Sequence, residues 1–255
     1  MGQSIAFVSG KGGTGKTTIT AGIATCLAAL GHSVICVDAD VGARNLDISL
    51  GMRTQMLRTT DFADILRGTI APEAALIGHP TIPGLELITA PLTGTISEIH
   101  TERFRYLIRA LTHRADFVLV DAAAGLDAGF RMVADACRHA VVVATTDTSS
   151  LRVASRAASL LGPDKPAMLV INRVIPKLVQ GGHAANIDDA MDETGLPLLG
   201  LVPEDEMVPS TAFVDIPLVL SGGNGASGAM LRIARRLTGE NIPLKRLKQW
   251  KVDGA

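Results

Sequence analysis

Short runs of apolar residues alternate with longer stretches whose apolar positions recur at helical spacing along most of the chain. This alternation predicts repeated βα units, because buried parallel strands are short and apolar whereas the helices that cover them are amphipathic. Strands are predicted over residues 4–9, 33–40, 85–90, 116–121, 140–146, 167–172 and 198–203. Helices are predicted over residues 15–31, 102–113, 149–161 and 226–238. Right-handed crossovers then give a single α/β domain, a mostly parallel sheet with helices on both faces and ligands at the carboxyl ends of the strands.

Composition supports one domain with a large aliphatic core. The 255 residues are 47% hydrophobic but 3% aromatic, and the mean hydropathy is +0.31. No apolar run reaches the roughly 18 residues that a membrane span requires. The formal net charge of −1 gives no reason to expect nucleic acid as a partner. Cys26, Cys36 and Cys137 are predicted to be reduced core thiols, which together with the lack of a signal-peptide pattern predicts a cytoplasmic protein.

A glycine-rich loop between the first predicted strand and helix matches the phosphate-binding pattern G-x-x-x-x-G-K-[ST]. Its glycines allow backbone N–H groups to converge on phosphates, and the helix N-terminus adds a favourable dipole. Lys16 is predicted to neutralise the β and γ phosphates of ATP, and the Thr17 hydroxyl to bind Mg²⁺. The expected nucleotide contacts in this loop are Gly10, Lys11, Gly12, Gly13, Thr14, Gly15, Lys16, Thr17 and Thr18.

Carboxylates follow two of the predicted strands. Asp38 and Asp40 end the second strand on one face, since side chains alternate in extended chain. Asp121 ends the strand over 116–121, where a Walker B carboxylate would hold Mg²⁺. The carboxylates at 38 and 40 are also compatible with a solvated loop or with helix caps. Gly125, in the segment that follows Asp121, is compatible with an ordinary turn.

Four segments resemble the MinD/ParA family of deviant Walker A ATPases: "GKGGTGKTT", "VGARNLD", "DAAAGLDAG" and "VPEDE". The resemblance runs from Ile5 to about Leu237, is closest to MinD-type and FlhG-type members, and implies a P-loop NTPase of the SIMIBI class. In this family a signature lysine, here Lys11, reaches the partner's nucleotide across an ATP-dependent homodimer. A solvated loop lysine is the alternative.

The same resemblance implies further roles. Asp40 would orient the attacking water, and Asp38 would support the metal shell with Thr17 and Asp121. Asn45 would lie near the dimer interface, and the Gly125 N–H would sense the γ-phosphate. The base would be bound by Asn172, Arg173, Pro203, Glu204 and Asp205. For Asn172, a turn cap is the alternative.

Two departures from the family pattern concern switching and partner binding. Ala122 and Ala123 replace the usual Ser and Pro after Asp121. The segment "TTDTSS", with Thr146 and Asp147, replaces the usual T-x-P-E, and the following helix lacks the aspartates that commonly occur there. Recognition of the family's usual partner proteins therefore does not follow from the resemblance.

The resemblance therefore implies an ATPase switch that would dimerise with Mg-ATP, be reset by hydrolysis, and position the division site or flagella with an unidentified activating or cargo protein. One alternative is a ParA-type DNA-partition ATPase, for which Arg232, Arg235 and Arg236 would form a basic patch or simply the solvated face of the last helix. A Mrp-type metal or cluster carrier would need a C-x-x-C motif, which the sequence lacks.

The ATPase domain is predicted over residues 1–240, followed by a basic tail over residues 241–255. In the tail, Leu244, Leu247 and Trp250 fall on one side of a short helical pattern with lysines around them. Such a segment can rest on anionic lipid, which would place the protein reversibly at the inner face of the cell membrane. A solvated C-terminal end fits the same residues.

Overall fold

A computed structural model describes residues 1–53, 60–221 and 224–244. Its centre is an eight-stranded sheet, parallel except for the short β3, which pairs antiparallel with β4. The strand order is β3-β4-β2-β5-β1-β6-β7-β8. In chain order the strands are β1 (Gln3–Val8), β2 (Val34–Ala39), β3 (Ile77–Gly78), β4 (Leu85–Ile88), β5 (Phe117–Ala122), β6 (His139–Ala144), β7 (Ala167–Val174) and β8 (Leu198–Pro203).

Helices cover both faces of this sheet, each over its own apolar cluster, as expected for strands that are hydrophobic on both sides. The helices of one face are α3 (Phe62–Arg67), α4 (Pro72–Ala75), α5 (Thr101–Leu111), α6 (Ala128–Ala136), α7 (Thr148–Leu161), α8 (Pro176–Gln180) and α9 (Ile187–Thr194). Those of the other face are α1 (Lys16–Ala29), α2 (Leu46–Leu50), α10 (Met207–Phe213) and α11 (Ala226–Leu237).

The predicted architecture is confirmed: all seven predicted strands and four predicted helices are present, with ends that differ by at most two residues. The strand predicted over 140–146, for example, begins at His139 and stops at Ala144. It stops early because the Asp147 side chain accepts a hydrogen bond from the Ser150 N–H and starts α7. The two-residue β3 was not predicted, since a strand that short has no usable periodicity.

The strand order places β1 between β5 and β6, and β2 beside β5. The phosphate-binding loop after β1, Asp38 near the end of β2 and Asp121 near the end of β5 therefore lie at the same edge of the sheet. No helix among the described residues is long and apolar enough to cross a membrane.

Candidate functional site

The glycine-rich loop after β1 curls around a cavity at the N-terminus of α1. Gly13 and Gly15 have φ angles of 79° and 81°, a left-handed conformation that residues with a Cβ rarely adopt. A Cβ on Gly15 would lie 2.2 Å from Nδ2 of Asn172. That same amide nitrogen donates a hydrogen bond to the Thr14 carbonyl at 2.8 Å. Asn172 therefore supports the loop from behind, and its predicted contact with a base stays a prediction.

Lys16, Thr17 and Asp121 meet below this loop. The Lys16 Nζ lies 2.8 Å from Asp121 Oδ1, and both side chains are buried, with 5% and 1% of their surface exposed. The Thr17 hydroxyl donates to Asp121 Oδ2 at 2.7 Å. Thr20, which sequence reasoning missed, donates to Asp121 Oδ1 at 2.8 Å. Its position one helical turn after Lys16 is the signal that could have identified it.

Asp38 and Asp40 differ sharply in their surroundings. Asp38 is buried, and its two oxygens accept backbone N–H groups from Asp40 at 2.9 Å and Leu46 at 3.0 Å. Burial, followed by the neighbouring Asp121 carboxylate, raises the pKa of Asp38 to about 7. Asp40 is half-buried and lines the cavity. Burial also raises the pKa of Asp40, while the Lys16 ammonium opposes that rise.

The cavity enclosed by these residues has a volume of about 270 Å³. It is lined by Ser9, Gly13, Thr14, Gly15, Lys16, Thr17, Asp40, Asn45, Ser49 and Ala124. The buried Thr14 hydroxyl has no hydrogen-bond partner among the residues that the structure describes. The cavity fits a nucleotide phosphate chain, because glycines line it and the Lys16 ammonium and the unpaired Thr14 hydroxyl lie beside it. The oxygen atoms of Thr17 and Asp121 fit Mg²⁺.

Lys11 lies on the outer side of the same loop. Its Nζ is 3.0 Å from Asp147 Oδ1 and 2.6 Å from the Ser149 hydroxyl, at the start of α7. Burial raises the pKa of Asp147, but hydrogen bonds from Ser149, Thr145 and Lys11 outweigh that effect and hold the pKa well below its usual range. Lys11 is thus neither a free loop lysine nor, within one chain, a ligand of the inner cavity.

A second cavity of about 440 Å³ opens beside Lys11. It extends over Gly12 to Thr14 towards Arg173 and Glu204, whose side chains pair at 2.7 Å and 3.1 Å. This places two of the predicted base-binding residues at a polar cavity adjoining the phosphate loop.

The remaining predicted residues are near the site but have other contacts. Asp205 accepts hydrogen bonds from the N–H groups of Met207 and Ala226, the first residues of α10 and α11, and so caps the start of α11. Pro203 ends β8. The Gly125 N–H donates to the Ser9 carbonyl at 3.0 Å, and Thr18 is the third residue of α1. Their predicted contacts with a nucleotide stay predictions.

The arginines considered for a DNA-binding patch are largely engaged within the chain. Arg235 pairs with Glu240, and Arg236 donates to the carbonyls of Leu199, Ile242 and Pro243. The solvated-face alternative fits Arg235 better, and Arg236 instead fixes the chain that leaves α11. Leu247 and Trp250, on which the membrane prediction depends, lie outside the described residues.

Comparison with known proteins agrees with this geometry. Residues 5–218 match the family described as the CobQ/CobB/MinD/ParA nucleotide binding domain. The septum site-determining protein MinD of Synechocystis is 34% identical over 246 residues, covering 95% of this chain and 92% of that protein.

Two solved structures are also similar. A chain of the MinC:MinD cell division protein complex from Aquifex aeolicus superposes with a TM-score of 0.88 at 33% identity, covering 96% of this chain and 98% of that chain. The septum site-determining protein MinD of Pyrococcus horikoshii, complexed with Mg-ADP, gives a TM-score of 0.82 at 26% identity and covers 93% of this chain and 96% of that chain.

Proposed function

The chain belongs to the CobQ/CobB/MinD/ParA nucleotide-binding family, and on that premise we propose that it is a MinD-type ATPase. It binds ATP with Mg²⁺, forms a homodimer around two nucleotides, and returns to the monomer after hydrolysis. The observation that carries the proposal is the convergence of Lys16, Thr17 and Asp40 on one glycine-lined cavity, with Asp121 bound to the first two.

ATP binding is an exchange of partners for Lys16. Its ammonium is paired with the buried Asp121 carboxylate at 2.8 Å, so an incoming phosphate chain gives the ammonium another anion. Thr17 and Asp121 would hold Mg²⁺, whose charge would compensate the Asp121 carboxylate in place of Lys16. When bound, Mg²⁺ supplies positive charge that neutralises the phosphate oxygens.

Asp40 is the residue proposed to orient the attacking water. Its carboxylate lines the same cavity as Lys16, which supports a position near the phosphates. A carboxylate there accepts a hydrogen bond from water and directs a lone pair of the water oxygen at the γ-phosphorus, so that ADP leaves and phosphate forms.

Dimerisation depends on Lys11. In the isolated chain its charge is compensated by Asp147 at 3.0 Å, in an ion pair whose side chains are 44% and 49% exposed. Exposed pairs are worth about 1 kcal/mol or less, so a triphosphate presented by a second copy can draw Lys11 away at small cost. Lys11 would then stabilise the phosphates of that copy.

The cellular role proposed for this switch is placement of the division site. The proteins that resemble it are named septum site-determining proteins, and one of them forms a complex with MinC. We propose that an activating or cargo protein binds the dimer and that the tail over residues 241–255 brings the cytoplasmic protein reversibly to the membrane. No described contact favours flagellar placement or a DNA-partition role.

Two measurements test the proposal. Phosphate release and light scattering, each with ATP and Mg²⁺, should show hydrolysis and a doubling of mass that persists with a non-hydrolysable analogue. A chain that hydrolyses nothing and stays monomeric would refute it.

In its own cell, the tagged protein should collect at the membrane or poles, whereas a nucleoid pattern with salt-sensitive DNA binding would favour the DNA-partition alternative.

A further inference from the structure

Asp38 holds the chain segment that carries Asp40, here called the Asp40 loop and defined as residues 39–46. The loop begins at the end of β2 and finishes at the first residue of α2. Asp38 Oδ1 accepts the Asp40 N–H at 2.9 Å, and Asp38 Oδ2 accepts the Leu46 N–H at 3.0 Å. One carboxylate therefore ties both ends of the loop together.

Other restraints on the loop are bonds between backbone groups. The Ala43 and Arg44 N–H groups donate to the Asp40 carbonyl at 3.2 and 3.1 Å, and the Gly42 N–H donates to the Pro91 carbonyl at 3.0 Å. Asn45 occupies the N-cap position of α2 but makes no capping side-chain hydrogen bond. Asp38, near the end of β2, therefore accepts the N–H of the first residue of α2 in place of the N-cap side chain.

The position of Asp38 is poorly suited to direct metal binding. Like Asp121 it is 1% exposed, but no hydrogen bond among the described residues joins it to Lys16 or Thr17, which line the phosphate cavity. Its partner across the sheet, Asp121, is the carboxylate that contacts Lys16 and Thr17. Both Asp38 oxygens already accept strong hydrogen bonds from the backbone.

We propose that Asp38 is a positioning residue, which sets the location of the Asp40 carboxylate by closing the Asp40 loop, and that it is not a ligand of Mg²⁺. This inference rests on the proposed ATPase function for its catalytic consequence. Its structural part concerns the ligand-free chain alone. It replaces the expectation, carried over from the family resemblance, that Asp38 supports the metal shell.

Hydrogen exchange of the ligand-free protein tests the structural part. Asp38→Asn keeps the shape but turns one acceptor into an amide donor, so the Leu46 or Asp40 amide loses its bond and should exchange about tenfold faster or more. Asp116→Asn is the matched control, since Asp116 also accepts a backbone N–H, from Ser33 at 2.9 Å, at the opposite end of the sheet. That variant should leave exchange in residues 40–46 unchanged.

Magnesium titration of nucleotide binding tests the assignment against a metal-ligand role. With a fluorescent ATP analogue, the Mg²⁺ concentration for half-saturation should stay within about twofold of wild type in Asp38→Asn and rise at least about tenfold in Asp121→Asn. In the same Asp38→Asn protein, kcat should fall while KM changes little, because Asp40 is displaced and the phosphate contacts remain.

The outcomes separate cleanly. Unchanged exchange in residues 40–46, or a shift in Mg²⁺ dependence as large as that of Asp121→Asn, overturns the inference. If Asp38→Asn does not fold, Asp38→Glu carries the same test, because it keeps the buried charge but displaces it by one methylene group. A wild-type chain that binds no Mg-ATP would instead refute the proposed function and leave the exchange result standing.

Discussion

Two lysine–aspartate pairs flank one phosphate-binding loop, and they differ in burial. Lys16 and Asp121 are 5% and 1% exposed, whereas Lys11 and Asp147 are 44% and 49% exposed, at similar N···O distances of 2.8 and 3.0 Å. Removing one partner of a buried pair strands a charge in a medium that solvates it poorly, whereas water replaces a lost partner at the surface.

The difference in burial suits the two lysines to different roles. Lys16 must always face an anion, which suits a fixed phosphate ligand whose partner in the ligand-free chain is Asp121. Lys11 can leave Asp147 for another anion at little cost, which suits a residue that reaches a second molecule. The phosphate-binding pattern predicts a role only for Lys16, and the role of Lys11 follows from the family resemblance; their surroundings show how differently the two lysines are held.

The largest effect is expected from Lys16→Ala. The variant removes the cation beneath the phosphates and leaves the buried Asp121 carboxylate to repel them, so affinity for ATP should fall at least about 100-fold. Equilibrium binding of a fluorescent ATP analogue measures this. Tight binding by the variant would show that the buried pair is not the phosphate site.

Asp40→Ala touches neither pair and should separate binding from chemistry. ATP affinity should be retained, because the phosphate contacts remain, while kcat falls about 100- to 1,000-fold through loss of the oriented water. Light scattering should then detect an ATP-bound dimer that persists. Normal turnover by this variant would contradict the role given to Asp40.

Lys11→Ala is expected to affect assembly and not monomer stability. Loss of an exposed ion pair should change the free energy of unfolding by about 1 kcal/mol or less in urea titrations. ATP affinity of the monomer should stay within about threefold of wild type, and light scattering with ATP should show no dimer. A variant that still dimerises would contradict this role and would favour the alternative, in which Lys11 is a solvated loop lysine.

Asp147→Asn should have the smallest effect. Asparagine still caps α7, so stability should change by about 1 kcal/mol or less, and the released Lys11 should strengthen ATP-dependent dimerisation up to about fivefold. The depressed pKa keeps Asp147 ionised, so its stabilising effect is present above the ordinary aspartate pKa of about 3.9 and lost only at lower pH. The difference in unfolding free energy between Asp147→Asn and wild type should therefore be constant between about pH 8 and about pH 5. Weaker ATP-dependent dimerisation of the variant would contradict the proposal that Lys11 leaves Asp147 for a phosphate chain.

Local sequence was sufficient for the sheet, the main helices and the phosphate loop. A run such as Ile5 to Val8 is apolar throughout, as a strand buried on both sides requires. Two glycines of the loop, Gly13 and Gly15, adopt a backbone conformation that other residues rarely adopt. Asp38, Asp40 and Asp121 were identifiable because parallel strands end at one edge of a sheet. These features depend on neighbours within a few residues.

The partners of the charged and polar groups depend on how the whole chain packs. The sequence by itself could not pair Lys11 with Asp147 across 136 positions, or Asn172 with Thr14 across 158. Such contacts depend on which strands become neighbours and in what register, and that choice is made by burial of the whole apolar core. The sequence therefore identifies the residues that could meet a phosphate, and packing buries Lys16 against Asp121 while it leaves Lys11 exposed beside Asp147.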